Sequence, residues 1–175
     1  GLDAGEAVIL AVPPPVAASL LPGLSTPTEF RAIVNAHFRV ARPPGCPAMT
    51  GVINGIAEWI FAFPERLSVT ISAADRLLEI DRDTLAREIW RDVAAVTGLA
   101  PVLPAWQIVR ERRATFAALP DQENLRPGTR TRWDNIPSAE DCTATGLPGT
   151  IEGAVRSGNT AADLLLQRSR QPPKS

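Results

Sequence analysis

The chain has no tyrosine and a single histidine, His37, among its 175 residues. A lone histidine with no Cys, Asp or Glu at ligand spacing reads as a half-buried strand residue, not as a metal ligand or a general base. No metal is expected. Two cysteines, Cys46 and Cys142, are too few for a disulfide framework and suit buried thiols in a reducing, cytoplasmic setting. Neither sign of charge dominates: 18 basic residues face 19 acidic ones, for a net charge of −1. Nothing in that balance advertises a nucleic-acid surface. No apolar run approaches the roughly 20 residues that span a bilayer, and no signal-peptide pattern follows Gly1. Gly-x-Gly-x-x-Gly, the phosphate cradle of a dinucleotide fold, is missing. So is any Ser–His–Asp or Cys–His arrangement.

What is present has globular composition: 45% hydrophobic and 21% charged residues, enough for a core in one or two units. The apolar run Glu6–Val12, closed by Pro13-Pro14-Pro15, predicts a strand buried on both faces. A short helix over about Val16–Leu21 follows and stops at Pro22-Gly23. Arg31–Val40, with His37 inside it, predicts an extended segment ended by Pro43-Pro44-Gly45. Three short runs then read as an antiparallel meander: Met49–Ile53, Glu58–Phe63 and Leu67–Ile71. Asn54-Gly55 supplies the first hairpin signal and Phe63-Pro64-Glu65-Arg66 the second turn. Trp59, Phe61 and Phe63 fall on one face of the middle strand, Ile60 and Ala62 on the other. Either a sheet core or the greasy wall of a substrate chamber would use such a face.

Asp81-Arg82-Asp83-Thr84 opens a helix over about Asp83–Thr97, stopped by Gly98. Its buried stripe reads Leu85, Ile89, Val93 and Val96, with Arg87, Glu88, Arg91 and Asp92 on the wet side. Trp106–Phe116 alternates like a strand. Its Arg110, Arg112 and Arg113 read as surface that could draw an anionic partner such as lipid head groups. Pro120–Arg132 is a loop rich in turn formers with no chemistry of its own. The tail, 169–175, is expected to be disordered.

The most distinctive stretch lies near the end, Ala139–Ala162. Asp141 ends a short extended run, Gly146-Leu147-Pro148-Gly149 makes a turn, and a helix starts at Ile151. Gly153, Ala154, Ser157, Gly158, Ala161 and Ala162 recur at the spacing that puts small residues on one helical face. The turn leaves first-turn N–H groups free for an anion or a ring carbonyl, and Asp141 is placed to accept from sugar or polyol hydroxyls. The near-continuous run from Thr143 to Ala162, Thr-Ala-Thr-Gly-Leu-Pro-Gly-Thr-Ile-Glu-Gly-Ala-Val-Arg-Ser-Gly-Asn-Thr-Ala-Ala, resembles the C-terminal flavin motif of the flavin amine oxidase and phytoene desaturase superfamily, most closely its squalene-associated branch. The family has Gly before the Asp where this chain has Glu140. It has an apolar strand where this chain has Asn135-Ile136-Pro137-Ser138.

The resemblance covers roughly Ala7–Leu166 and implies a mixed α/β fold, the C-terminal part of a two-domain flavoprotein. Residues 1–30 and 119–168 would be pieces of a Rossmann-like FAD-binding domain, and 31–118 an antiparallel-sheet substrate domain. Asp141 would hold the ribityl–pyrophosphate part of FAD, and the backbone at Thr150, Ile151 and Glu152 would face the isoalloxazine ring. The implied activity is reductive dehydroxylation of hydroxysqualene to squalene, with a long apolar isoprenoid as partner and possible peripheral contact at the inner face of the membrane. Glu58 and Asp75 are the carboxylates near the expected chamber. A desaturase or amine oxidase is the neighbouring enzymatic reading. A truncated or decayed module without flavin is the reading that Glu140 and Pro137 favour.

Overall fold

A computed structural model describes residues 2, 3 and 5–170. The elements run α1 (Pro14–Leu20), β1 (Phe30–Arg39), β2 (Met49–Gly51), β3 (Trp59–Phe63), β4 (Arg66–Ile71), a 3-10 turn (Ala74–Leu77), α2 (Arg82–Thr97), β5 (Trp106–Phe116), α3 (Pro120–Glu123) and α4 (Ile151–Ser169). They divide into two units. One is Arg31–Ala114, and the other joins Gly1–Phe30 to Thr115–Ser175. The fold is mixed α/β, as the sequence indicates.

The continuous unit is a five-stranded sheet in the order β2-β3-β4-β1-β5, covered on one face by α2. Period-2 alternation sets the faces. Ala32, Val34, Ala36 and Phe38 of β1, Leu67, Val69 and Ile71 of β4, and Ile60 and Ala62 of β3 turn into the core. Leu85, Ala86, Ile89, Trp90, Val93 and Ala94 of α2 meet them. Each large side chain fully buried here contributes roughly 1.5–3 kcal/mol. Val96, expected in the buried stripe, is 45% exposed, and Trp90 takes its place by packing on Phe38 at a ring separation of 5.0 Å. The helix is stopped by chemistry at both ends. The Asp81 carboxylate accepts from Thr84 N–H, and Gly98 adopts φ 72° at the C-cap.

The hairpin expected at Asn54-Gly55 does not form as a tight turn. The ladder ends at Gly51↔Trp59 with one further bond, Val52 N–H to the Glu58 carbonyl, and residues 53–57 make a longer loop. The cause is tertiary: Asp92 of α2 accepts from Ile56 N–H at 2.6 Å and Ala57 N–H at 3.2 Å, drawing the loop onto the helix. A Cβ on Gly55 would lie 2.8 Å from that carboxylate, so glycine is required there for proximity. The second turn forms as expected, with Phe63 paired to Arg66.

In the discontinuous unit, the expected strand Glu6–Val12 is reduced to one parallel bridge, Leu10↔Ser138. Val8 and Leu10 N–H donate to Asn135 and Pro137 carbonyls, but only Leu10 is buried while Val8 and Ile9 are 41% and 39% exposed. Pairing on one side and the proline opposite prevent a regular ladder. Pro14 starts α1 two residues before the expected Val16, since a proline at the first helical turn sacrifices no bond. Leu10, Ala17 and Leu21 form a small core with Trp133 and Ile136. Gln122 is buried and accepts from Thr28 and Glu29 N–H, tying the loop after β5 to the chain before β1. Helix α4 runs to Ser169, the first residue of the expected tail. Residues 171–175 lie outside the described residues.

Candidate functional site

The site is built around Arg126, whose side chain is 1% exposed. Its guanidinium donates to three consecutive carbonyls, Cys142 at 3.0 Å, Thr143 at 2.8 Å and Asp141 at 3.3 Å, and pairs with Glu123 at 2.8 Å. The Phe116 ring lies beneath it, 5.1 Å away. Five fixed donors suit this fork in a way a lysine could not. Around it, Glu140 N–H donates to Thr143 Oγ1, Thr143 N–H to Glu140 O, and the Ser157 hydroxyl of α4 to Glu140 O. The turn 140–143 is thereby fixed from both sides. Arg126 lies in the loop 120–132, whose sequence carries no chemistry of its own, and nothing in its local pattern distinguishes it from a surface arginine.

Asp141 is half-buried, and its carboxylate accepts no hydrogen bond among the described residues. It lies against the start of α4: a Cβ on Gly149 would meet Asp141 Oδ2 at 3.5 Å and the Phe116 ring at 2.9 Å. Thr150 is the N-cap, its hydroxyl accepting from Gly153 N–H at 3.2 Å. Ile151 is 86% exposed, while the Glu152 carboxylate is engaged by Arg156 at 2.7 Å. The small-residue face is real, with Gly153, Ser157 and Ala161 buried one turn apart. Asp141 and the helix N-terminus at Thr150–Glu152 therefore come together. A free carboxylate suits polyol hydroxyls, and the first-turn N–H groups of a 19-residue helix suit a ring carbonyl or an anion.

Glu140 is the unusual member. It is 8% exposed, and neither carboxylate oxygen has a hydrogen-bond partner. Burial, and then the charge of Asp141, push its pKa up to about 7, although the neighbouring Cys142 thiol eases the charge. Two residues earlier Ser138 is fully buried with its hydroxyl also unpartnered. Cys142 itself is held far above the usual thiol range by burial and by Glu140, and so is an inert thiol. The residues fit the polyol and ring ends of a flavin nucleotide.

The open face of the sheet in the other unit is a separate feature. Met49, Trp59 and Phe63 are exposed there and Phe61 half-buried, opposite the α2 face. Next to them run two hydrogen-bonded pairs, Thr70–Asn35 at 2.7 Å and His37–Ser68 at 2.9 Å. Burial, and then the charge of Arg66, hold His37 below its ordinary pKa, keeping it neutral near pH 7. The two carboxylates considered near a chamber have structural roles: Glu58 accepts from Ser72 N–H at 2.8 Å and Asp75 from Ala32 N–H at 3.4 Å. Arg110 is no surface charge either. It donates to the carbonyls of Leu78 and Ile80, while Arg112 pairs with Glu79.

Comparison with known proteins places the chain in a flavoprotein family. The sequence model of the flavin containing amine oxidoreductase family matches residues 2–166, and the chain belongs to that family. It is 63% identical over 169 residues to the hydroxysqualene dehydroxylase of Rhodopseudomonas palustris, covering 97% of this chain and 40% of that protein. The hydroxysqualene dehydroxylases of Sinorhizobium fredii and Zymomonas mobilis are 62% and 46% identical, with 94% and 96% of this chain covered. The chain thus spans about 40% of the length of these relatives. Among solved structures, an Exiguobacterium protein assigned as a protoporphyrinogen oxidase superposes with a TM-score of 0.63 at 14% identity, covering 94% of this chain and 41% of the other. A putrescine oxidase with bound putrescine gives 0.63 at 18%, covering 91% and 42%. At these identities the likeness is one of fold.

Proposed function

We propose that this chain forms part of an FAD-dependent oxidoreductase that removes the hydroxyl of hydroxysqualene reductively to give squalene. The observation that carries this is the 63% identity, across nearly the whole chain, to a protein of that name. FAD would supply the hydride. Asp141 would hold the ribityl hydroxyls, and the N–H groups at Thr150, Ile151 and Glu152 would meet the ring. Arg126 keeps the 140–143 turn in place. Met49, Trp59, Phe61 and Phe63 would form an apolar wall for the isoprenoid, from which water is excluded. Such a substrate partitions into lipid, so the working place would be the cytoplasmic side of a membrane, at its surface.

The test is to produce the full-length polypeptide and record its bound-flavin absorbance. Anaerobic incubation with reductant and hydroxysqualene follows, with squalene read by mass spectrometry. Squalene formation that falls at least tenfold in Asp141→Ala, together with flavin release, supports the reading. A protein that retains no flavin would favour the non-catalytic alternative suggested by Glu140. Recovery of flavin in Glu140→Gly would then locate the cause.

A further inference from the structure

The sheet unit carries a charge arrangement that neither its core nor the flavin reading uses. In the β1–β4 pairing Arg39 stands directly opposite Arg66. Like charges in that position destabilise a sheet. Four other arginines of the unit are engaged within it: Arg110 with two carbonyls, Arg112 with Glu79, Arg42 with the Cys46 carbonyl and Arg76 with the Ala73 carbonyl. The Arg39 side chain has no hydrogen bond or ion pair among the described residues. Arg66 rests only on the Phe63 ring, 4.6 Å from its centroid. Both arginines line a cavity of about 400 Å³ with His37, Glu65, Trp106 and Gln107. Two guanidiniums against the one Glu65 carboxylate leave a net positive wall.

We propose that this cavity binds a phosphate-type anion carried on an apolar group, gripped by Arg39 and Arg66. Paired guanidiniums match phosphate oxygens in a way that single ammonium groups do not. The volume falls within the range of small-ligand sites, larger than a bare ion needs, and Trp106 offers apolar surface to an organic part. An anion there would also relieve the repulsion between the opposed arginines. The same chemistry can come from a lipid headgroup or from a soluble phosphate ester. The inference stands on the sheet unit alone and does not depend on flavin binding.

The full chain would be titrated calorimetrically with inorganic pyrophosphate and with a short-chain alkyl phosphate. In parallel it would be co-sedimented with phosphatidylcholine vesicles, with and without phosphatidylglycerol. Arg39→Gln and Arg66→Gln should each weaken binding about tenfold, and the control Arg112→Gln should not. Glu65→Gln should tighten it severalfold, a gain that misfolding cannot mimic. Preference for phosphatidylglycerol with weak pyrophosphate binding identifies a lipid headgroup, and the reverse identifies a soluble phosphate. Absence of binding to every probe, or affinities that ignore all three cavity variants, would overturn the proposal.

Discussion

Glu140 holds a proton that an unfolded chain would release near its ordinary value. Because its folded pKa is raised, from 4.5 to about 7, the stability it allows is complete below about pH 4.5. That stability is lost as pH climbs towards 7, and the effect is flat above. Glu140→Gln should therefore gain on the wild type as pH rises through this window, by on the order of 1–3 kcal/mol after allowance for solvent screening. Melting temperatures of both proteins at pH 5 and pH 8 give the double difference, and equal slopes would show that Glu140 does not titrate in that range. Arg126 makes the opposite kind of demand. Replacing it with Met strands the buried Cys142 and Thr143 carbonyls, and should cost about 2–4 kcal/mol in denaturant unfolding. Lysine should recover only part of this, because its point charge cannot reach the same set of acceptors.

At the scale of elements, α4 offers two glycines with opposite expectations. A Cβ at Gly149, just ahead of the helix, meets Phe116 at 2.9 Å, so Gly149→Ala should destabilise by about 1–3 kcal/mol. Gly158, inside the helix, faces open space, and Gly158→Ala should stabilise by up to about 1 kcal/mol. Thermal melts of the two variants should move in opposite directions. Asp92→Ala should free the loop between β2 and β3, at about 1–3 kcal/mol, with faster hydrogen exchange at Ile56 and Ala57 as the local readout. Elements held by local chemistry were legible in the sequence. Asp81 and Gly98 mark α2, and the alternation in β3 separates Trp59, Phe61 and Phe63 from the inward-facing Ile60 and Ala62. Elements that depend on distant partners were not. The Asn54-Gly55 turn yields to Asp92, and the Glu6–Val12 strand to the proline-bearing segment it meets. The Asp141–Thr150 site was visible as a motif, whereas Arg126, which positions it, was not.

For the whole molecule, the division into two units separates two sets of demands. The sheet unit has one large core between β-strands and α2, so its stability rests on apolar burial. Among the described residues the other unit has a smaller apolar cluster, Leu10, Ala17 and Leu21 with their neighbours, and the Arg126 and Gln122 networks add to its order. Chemical denaturation should reflect this. The network-held unit should lose structure at lower denaturant, followed by Trp133 fluorescence in a variant with Trp59, Trp90 and Trp106 replaced by Phe. A single transition shared by both units would contradict that order.

The discontinuous unit also has a consequence for biosynthesis. Asn135 donates to the Glu6 carbonyl across 129 positions, and Leu10 finds its partner only at Ser138. At roughly 5–20 residues per second, the segment around Glu6 waits some 6–26 s on the ribosome before those partners are made. The whole of 31–114 is translated in that interval and can fold around its own core. The nascent chain thus carries Val8, Ile9 and Leu10 unpaired while a finished sheet hangs behind them. That is the window in which a holding chaperone would have most to do.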